Sequence, residues 1–354
     1  MKCHRSPQQA QESAVQPTRG PTSLRRLARV GLGAGALLAA IAVYNEIQAR
    51  RAPVLAPQLE GGRHRFPWRT GEVVYTVLGS GPPLLLVHDL GIGGSMSQWK
   101  HNQAALAASY TVYALDLLGW GESDKPAACG RANDYGDQIA RFVEDVIGEP
   151  CTIIASGSSC GFAIAAAARL PELVQRIVLV CPLQDNSTVS FGPASSGTAS
   201  SGKSGALTKS WRDRVCRLFG VPVLGTLVYN LLTSEQGVRD YAGRHVFFDE
   251  GMADREWVPM HYAGARQRGA IQAGVASLAG LARWDARREW SGLEISSLLI
   301  WGRHAMAEGL EAAPEWLACN IGARLEVVDG AKLAPHFERY EQFNAIVLRW
   351  LRDT

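Results

Sequence analysis

The sequence has little that would mark a metalloprotein or a protein held together by disulfides. Its seven cysteines are odd in number and include no C-x-x-C pair, which fits neither a disulfide framework nor a zinc site. Its eight histidines include no H-x-H or H-x-x-x-H pair. We therefore expect no metal and no cofactor, and we expect most thiols to be buried in a reducing compartment.

Net charge is also small, because 36 Lys and Arg residues face 33 Asp and Glu residues, which leaves +3. Residues 1–51 carry eight basic and two acidic side chains, +6, so residues 52–354 sum to 3 − 6 = −3. The body of the chain is slightly acidic, and we expect no nucleic-acid partner. With 354 residues and 47% apolar residues, the chain is long enough to bury a large core.

Long apolar runs are scarce, and the longest unbroken one extends from Val30 to Tyr44. Residues 1–24 are polar and are expected to form a disordered tail. Arginines flank the apolar run on both sides, so residues 25–51 are expected to form an uncleaved membrane anchor of undecided orientation. A cleaved signal peptide and a buried helix remain alternatives.

From residue 66 onwards, short β-branched runs alternate with amphipathic stretches. We predict strands at 73–77, 84–88, 111–116, 152–155, 177–181, 297–301 and 325–329, with helices at 98–108, 135–147, 161–170 and 337–352. Strands that alternate with helices indicate a mainly parallel sheet with helices on both faces. The core of this α/β fold is expected to comprise residues 66–182 and 297–354.

Residues 183–296 interrupt this pattern and are predicted to be an inserted lid. Of residues 186–210, fifteen of 25 are Ser, Gly or Thr, which is typical of a flexible linker, and residues 211–290 are helical in pattern. The linker contains a phosphate-loop match, Gly197 to Ser204. We interpret the match as accidental, because no buried strand precedes it.

Residues 151–161, CTIIASGSSCG, predict a strand, a tight turn and the start of an Ala-rich helix. A serine nucleophile in such a turn has a strained backbone and small residues two positions before and after it. Ser156 and Cys160 stand at those positions around Ser158. Ser158 is therefore a candidate nucleophile, although a Gly/Ser turn without chemistry remains an equal alternative.

Three stretches, PLLLVHDL (83–90), YALDLLGWGESDKP (113–126) and the Ser158 turn, resemble the α/β-hydrolase superfamily, in its lidded branch of haloalkane dehalogenase-like and esterase-like enzymes. More narrowly, the chain is similar to bacterial membrane-tethered hydrolase-like proteins. The resemblance implies an eight-stranded, mainly parallel sheet with a helical lid after the sixth strand. It also implies that the Leu90 and Ser159 amides bind an oxyanion, while His88 and Asp89 support that loop.

The chain departs from the family pattern where catalysis is most sensitive. Ala305 stands where the family has its triad acid, Leu333 stands where it has its histidine, and Asp89 and Cys160 replace glycines. A displaced triad of Ser158, His336 and Asp185 could restore chemistry. A structural role for His336 at the start of the last helix is the favoured alternative.

Two functions follow from these observations. The first is a membrane-tethered, esterase-like hydrolase that acts on a small or acyl-type substrate with weak or lost activity, since a serine without its base is a poor nucleophile. The second is a non-catalytic protein of the same fold that binds a ligand or a partner. The sequence does not decide between them.

Overall fold

The computed structural model describes residues 21–126, 132–183, 214, 217–280, 284–305 and 309–354. The 1–24 tail lies mostly, and the 186–210 linker with its phosphate-loop match entirely, outside these residues. Asp185 lies outside them as well.

An eight-stranded sheet forms the centre of the molecule, with strand order β1-β2-β4-β3-β5-β6-β7-β8. β1 pairs with β2 and β2 with β4 in antiparallel fashion, and all other neighbours are parallel. The mainly parallel eight-stranded sheet predicted from the sequence is confirmed. The strands are β1 Gly62–Trp68, β2 Gly71–Leu78, β3 Pro83–Val87, β4 Thr111–Leu115, β5 Cys151–Ser156, β6 Val174–Val180, β7 Ser296–Gly302 and β8 Arg324–Val328.

Helices cover both faces of the sheet because its central strands are apolar on both sides. Every residue of β3 and β5 is buried, as expected for parallel strands packed between helical layers. The helices outside the β6–β7 connection are α1 Pro21–Arg50, α2 Gln103–Ala107, α3 Ala132–Phe142, α4 Ser159–Arg169, α11 Ala313–Cys319, α12 Pro335–Glu338 and α13 Tyr340–Asp353.

The core consists of two layers, one on each side of the sheet. On one face, the alanines of α4 allow it to lie close to the strands, and α3 packs beside it around Phe142 and Phe162. On the other face, α13 packs its apolar side chains Phe343, Val347 and Trp350 against the sheet.

Further helices connect β6 to β7 and form what we call the helical insertion. They are α5 Leu224–Leu232, α6 Glu235–Tyr241, α7 Glu250–Met252, α8 Val258–Arg266, α9 Ala270–Leu278 and α10 Arg287–Ser291. The insertion has its own apolar cluster, in which Phe247 and Trp257 contact Phe337 from the segment after β8. This contact holds the insertion over the carboxyl ends of the strands.

Helix α1 is long and apolar enough to cross a membrane over Leu32–Arg50, by length and composition, and none of that stretch is buried. The residues that form the three apolar clusters begin at Leu59. The core of the described chain therefore does not depend on α1.

Deletion of residues 1–51 should leave a folded protein, because α1 contributes nothing to these clusters. We expect the 52–354 protein to melt in one cooperative transition, measured by circular dichroism, with native helix content. A fragment without a cooperative transition would contradict this description of the core.

Candidate functional site

The turn between β5 and α4 is the centre of the candidate site. Gly157 occupies it with φ of 57°, in the left-handed region that side chains other than glycine adopt only at a cost of about 1–2 kcal/mol. Ser158 has φ −63° and ψ −26° and is the N-cap of α4. The strained conformation expected of Ser158 therefore belongs to Gly157, because β5 continues to Ser156 and the chain turns immediately after it.

Asp89 fills the space in front of this turn. Its Oδ1 accepts a hydrogen bond from the Ser158 amide at 2.8 Å, and the Ser158 hydroxyl and the Leu90 amide also act to lower the pKa of this carboxyl group. A Cβ added to Gly157 would lie 2.3 Å from the same Oδ1. The Asp89 carboxylate therefore occupies the space that a side chain at position 157 would need.

These two amides have a known role in hydrolases built on a strand-turn-helix nucleophile. The oxyanion is bound by the amide of the residue after the nucleophile and by an amide of the loop after β3. With Gly157 at the turn, those amides are Ser158 and Leu90. The Ser158 amide takes the place that the sequence analysis gave to Ser159, whose hydroxyl instead donates to the His88 carbonyl.

Asp89 is half-buried. Its desolvation raises its pKa, and the Ser158 amide and hydroxyl, the nearby His88 and the Leu90 amide lower it by a smaller amount. Hydrogen bonds to a charged group contribute about 1.5–3 kcal/mol each. The hydrogen bond from the Ser158 amide therefore helps to hold this carboxyl group at the turn.

His88 supports the loop that carries Asp89. Its Nε2 accepts a hydrogen bond from the Leu117 amide at 3.1 Å, so Nδ1 carries the proton and donates to the Asp89 carbonyl at 2.8 Å. Burial lowers the pKa of His88 to about 4. His88 is therefore neutral at pH 7 and has no free nitrogen for proton transfer.

A second histidine, His261 of α8, joins the insertion to the same loop. Its Nδ1 donates to the Trp257 carbonyl at 3.1 Å, and its Nε2 accepts from Gln98 Nε2 at 3.3 Å. The Gln98 Oε1 in turn accepts from the Asp89 amide at 3.1 Å. Burial lowers the pKa of His261 to about 3, so the neutral ring completes this chain of hydrogen bonds.

A cavity lies between the turn and the insertion. Its apolar walls come mainly from the insertion and include Leu232, Val238, Tyr241, Val246 and Trp257. Its polar lining comes from side chains at the sheet ends and in the insertion, namely Asp89, Gln98, Ser156, His261 and His336. This lining is typical of a site for a small, mostly apolar molecule.

Two of the polar groups in the cavity have no partner among the described residues. They are the Ser156 hydroxyl and both ring nitrogens of His336. His336 is 2% exposed and packs on Trp99 with ring centroids 4.4 Å apart. Burial lowers its pKa to about 3, so it is neutral at pH 7.

The structure does not join the proposed pair Ser158 and His336. Ser158 is half-buried and is not one of the described residues that line the cavity. His336 lines the cavity, and its ring nitrogens have no hydrogen-bond partner among the described residues. At the usual triad positions, Ala305 is buried in the core and Leu333 lines the cavity. In the described part of the chain, no cluster of three or more metal-ligating side chains occurs.

The sequence analysis missed Gly157, Gln98 and His261. For Gly157 the missing information was the end of β5, which continues to Ser156, one residue further than predicted, and so places the turn on a glycine. Gln98 and His261 are far apart in sequence, and their contact arises from the placement of the insertion.

Gly157→Ser should destabilise the protein by about 2–4 kcal/mol, because it combines left-handed strain with a clash against the Asp89 carboxylate. Gly148→Ser is the matched control, since Gly148 has φ 67° but its nearest neighbour would be 3.8 Å from the new Cβ. We expect this control to be destabilised by the left-handed backbone strain alone, without a clash. Chemical denaturation of each variant gives the measurement.

Adding Asp89→Gly to Gly157→Ser removes the clashing carboxylate. The double variant should be more stable than the sum of the two single effects predicts. Additive effects would mean that Asp89 does not occupy the space in front of the turn.

His336→Phe should stabilise the protein against acid relative to wild type. The unfolded chain protonates this histidine near pH 6.5 and the folded protein near pH 3, so wild type loses stability as pH falls through that window. The stability difference between variant and wild type should grow by about 1.4 kcal/mol per pH unit below pH 6.5. A difference independent of pH, measured by urea unfolding, would show that His336 is not buried and neutral.

Comparison with known proteins agrees with this architecture. The model of the Alpha/beta hydrolase family matches residues 84–346. An uncharacterized protein of Mycobacterium tuberculosis is 38% identical over 106 residues, 30% of this chain and 30% of that protein. The dihydrolipoyllysine-residue acetyltransferase component of an acetoin cleaving system from Cupriavidus necator is 26% identical over 281 residues, 77% of this chain and 64% of that protein.

Solved structures show the same fold at low identity. A bacterial membrane phospholipase A aligns with a TM-score of 0.63 and 19% identity over 94% of this chain and 97% of its own. An enol-lactonase from Burkholderia xenovorans aligns with a TM-score of 0.62 and 17% identity over 82% of this chain and 100% of its own. Since the family model covers most of the chain and the sheet has the same architecture, this protein belongs to the α/β-hydrolase family.

Proposed function

We propose that this protein is a non-hydrolytic member of its family that binds a small molecule in the cavity under the helical insertion. The observation that carries the proposal is the Asp89 carboxylate, which accepts a hydrogen bond from the Ser158 amide. An oxyanion cannot bind at this amide while a carboxylate already accepts from it. The absence of a side chain at Gly157 removes the nucleophile from the same place.

The proposed ligand is largely apolar and carries one neutral polar group, such as a hydroxyl or an amide. The insertion supplies apolar walls, and Ser156 and the neutral His336 supply a hydrogen-bond donor and an acceptor that no described residue uses. A buried polar group without a partner costs about 1–3 kcal/mol, so a ligand that pairs with them regains that free energy. A carboxylate ligand would have to share the cavity with the Asp89 carboxyl group, which favours protonation of one of the two.

The membrane location is part of this proposal. Helix α1 has the length and composition of a single membrane span, and we propose that it tethers the domain to a bilayer. Apolar molecules concentrate in a bilayer, so a domain tethered there is exposed to them at a high local concentration.

An esterase-like hydrolase with Ser158 as nucleophile is the alternative. It requires His336 to accept the Ser158 proton and Asp185 to orient His336. The ring nitrogens of His336 make no hydrogen bond to any described residue, and the low pKa of the ring makes it a weak base. The binding function needs neither contact.

Fluorophosphonate labelling separates the two functions. We expect no labelling of wild type, because the serine lacks both a base and free oxyanion donors. Rapid labelling that is lost in Ser158→Ala and in His336→Ala would contradict the proposal and establish the hydrolase.

Binding is tested with decanol and decanoate, which share a chain and differ in charge. We expect decanol to raise the melting temperature and decanoate to have a smaller effect, with Ser156→Ala and His336→Phe weakening the decanol effect. Equal effects of both compounds, unchanged in the variants, would contradict the proposed cavity chemistry.

A further inference from the structure

Helix α1 is attached to the helical insertion at a defined place. Asn45 donates to the Val223 carbonyl at 2.9 Å and accepts from Asn230 Nδ2 at 3.0 Å. Asn230 in turn accepts from the buried guanidinium of Arg266 on α8. The polar contacts therefore connect α1 to two helices of the insertion, α5 and α8.

The contact lies near the carboxyl end of α1. Ile41, Tyr44, Asn45 and Gln48 are half-buried, at the spacing of one helix face, whereas residues 32–40 are exposed. The stretch of α1 that is long and apolar enough to cross a membrane ends at Arg50, five residues after Asn45, which is about 8 Å of helix. The contact with α5 therefore lies close to the end of the proposed span, where α1 leaves the membrane.

Helix α5 and the segment before it expose apolar side chains at that place. Leu224 and Leu231 are 37% and 56% exposed and lie seven residues apart, on one face of the helix. Leu218 and Val221, which precede the helix, are 46% and 43% exposed. A cluster of exposed apolar side chains next to a membrane-directed helix marks a membrane contact more strongly than scattered leucines do.

We propose that the surface formed by Leu218, Val221, Leu224 and Leu231 lies in the interface of the bilayer that α1 enters. This inference rests on the proposed tether and adds a second membrane contact to it. Leu232, the residue after the lipid-facing Leu231, lines the cavity. Neighbouring residues of α5 therefore face the lipid and the cavity. We infer that the ligand is a molecule that partitions into membranes.

The test uses the full chain reconstituted in phosphatidylcholine and phosphatidylglycerol vesicles that contain a lipid with a diazirine on its acyl chain. After photolysis, mass spectrometry identifies the labelled peptides. We expect label in α1 and in the peptides that contain residues 218–231. The peptide with Ile321, which is 96% exposed, should carry only background label.

The variant Leu224→Asn/Leu231→Asn provides the second measurement, with Ile321→Asn as the matched control. We expect label on α5 to fall to the background of the Ile321 peptide in the double variant, while label on α1 and the melting curve stay unchanged. Ile321→Asn should leave both sites labelled.

Label in α1 without label in residues 218–231 of wild type would overturn the inference, while the proposal that α1 tethers the protein to the membrane would still hold. A lack of label in α1 would overturn the tether, and the inference with it. Label on α5 that survives in the double variant would also contradict the inference, because these leucines would then not make the contact.

Discussion

The organisation of the site depends on one half-buried carboxylate. Asp89 lies two residues after the end of β3, and the Ser158 amide at the start of α4 donates a hydrogen bond that stabilises its carboxylate. Charge-assisted hydrogen bonds of this kind are strong. They can form only because Gly157 has no side chain, since a Cβ there would overlap the carboxylate. The loop, the turn and the helix start are therefore fixed together.

The insertion is linked to the backbone amide of Asp89 by neutral side chains. Gln98 connects the Asp89 amide to His261 on α8, and the cavity lies between the two layers that this chain joins. The buried histidines are neutral at pH 7, and the described lining of the cavity includes no Lys or Arg side chain. These properties support the proposed preference for a neutral ligand over an acid.

The sequence predicted the fold well, because parallel strands such as β3 and β5 appear as short apolar runs. It missed β1 as a strand, since Gly62–Trp68 is an edge strand that is largely exposed and therefore lacks an apolar pattern. That Ala305 and Leu333 stand in place of the triad acid and histidine stays a prediction from the motifs around them. The shift from Ser158 to Gly157 could not be read from the sequence, because it depends on where β5 ends. The contact of Asp89 with the Ser158 amide depends on tertiary placement. The proposed role of Asp185 stays a prediction.

The position of the Asp89 carboxylate tests the central claim most directly. A crystal structure that resolves this side chain should show Oδ1 about 2.8 Å from the Ser158 amide nitrogen, with Gly157 in a left-handed conformation. A carboxylate turned away from the turn would contradict the account, with water or ligand bound to the Ser158 and Leu90 amides and the Ser158 hydroxyl within hydrogen-bond distance of His336.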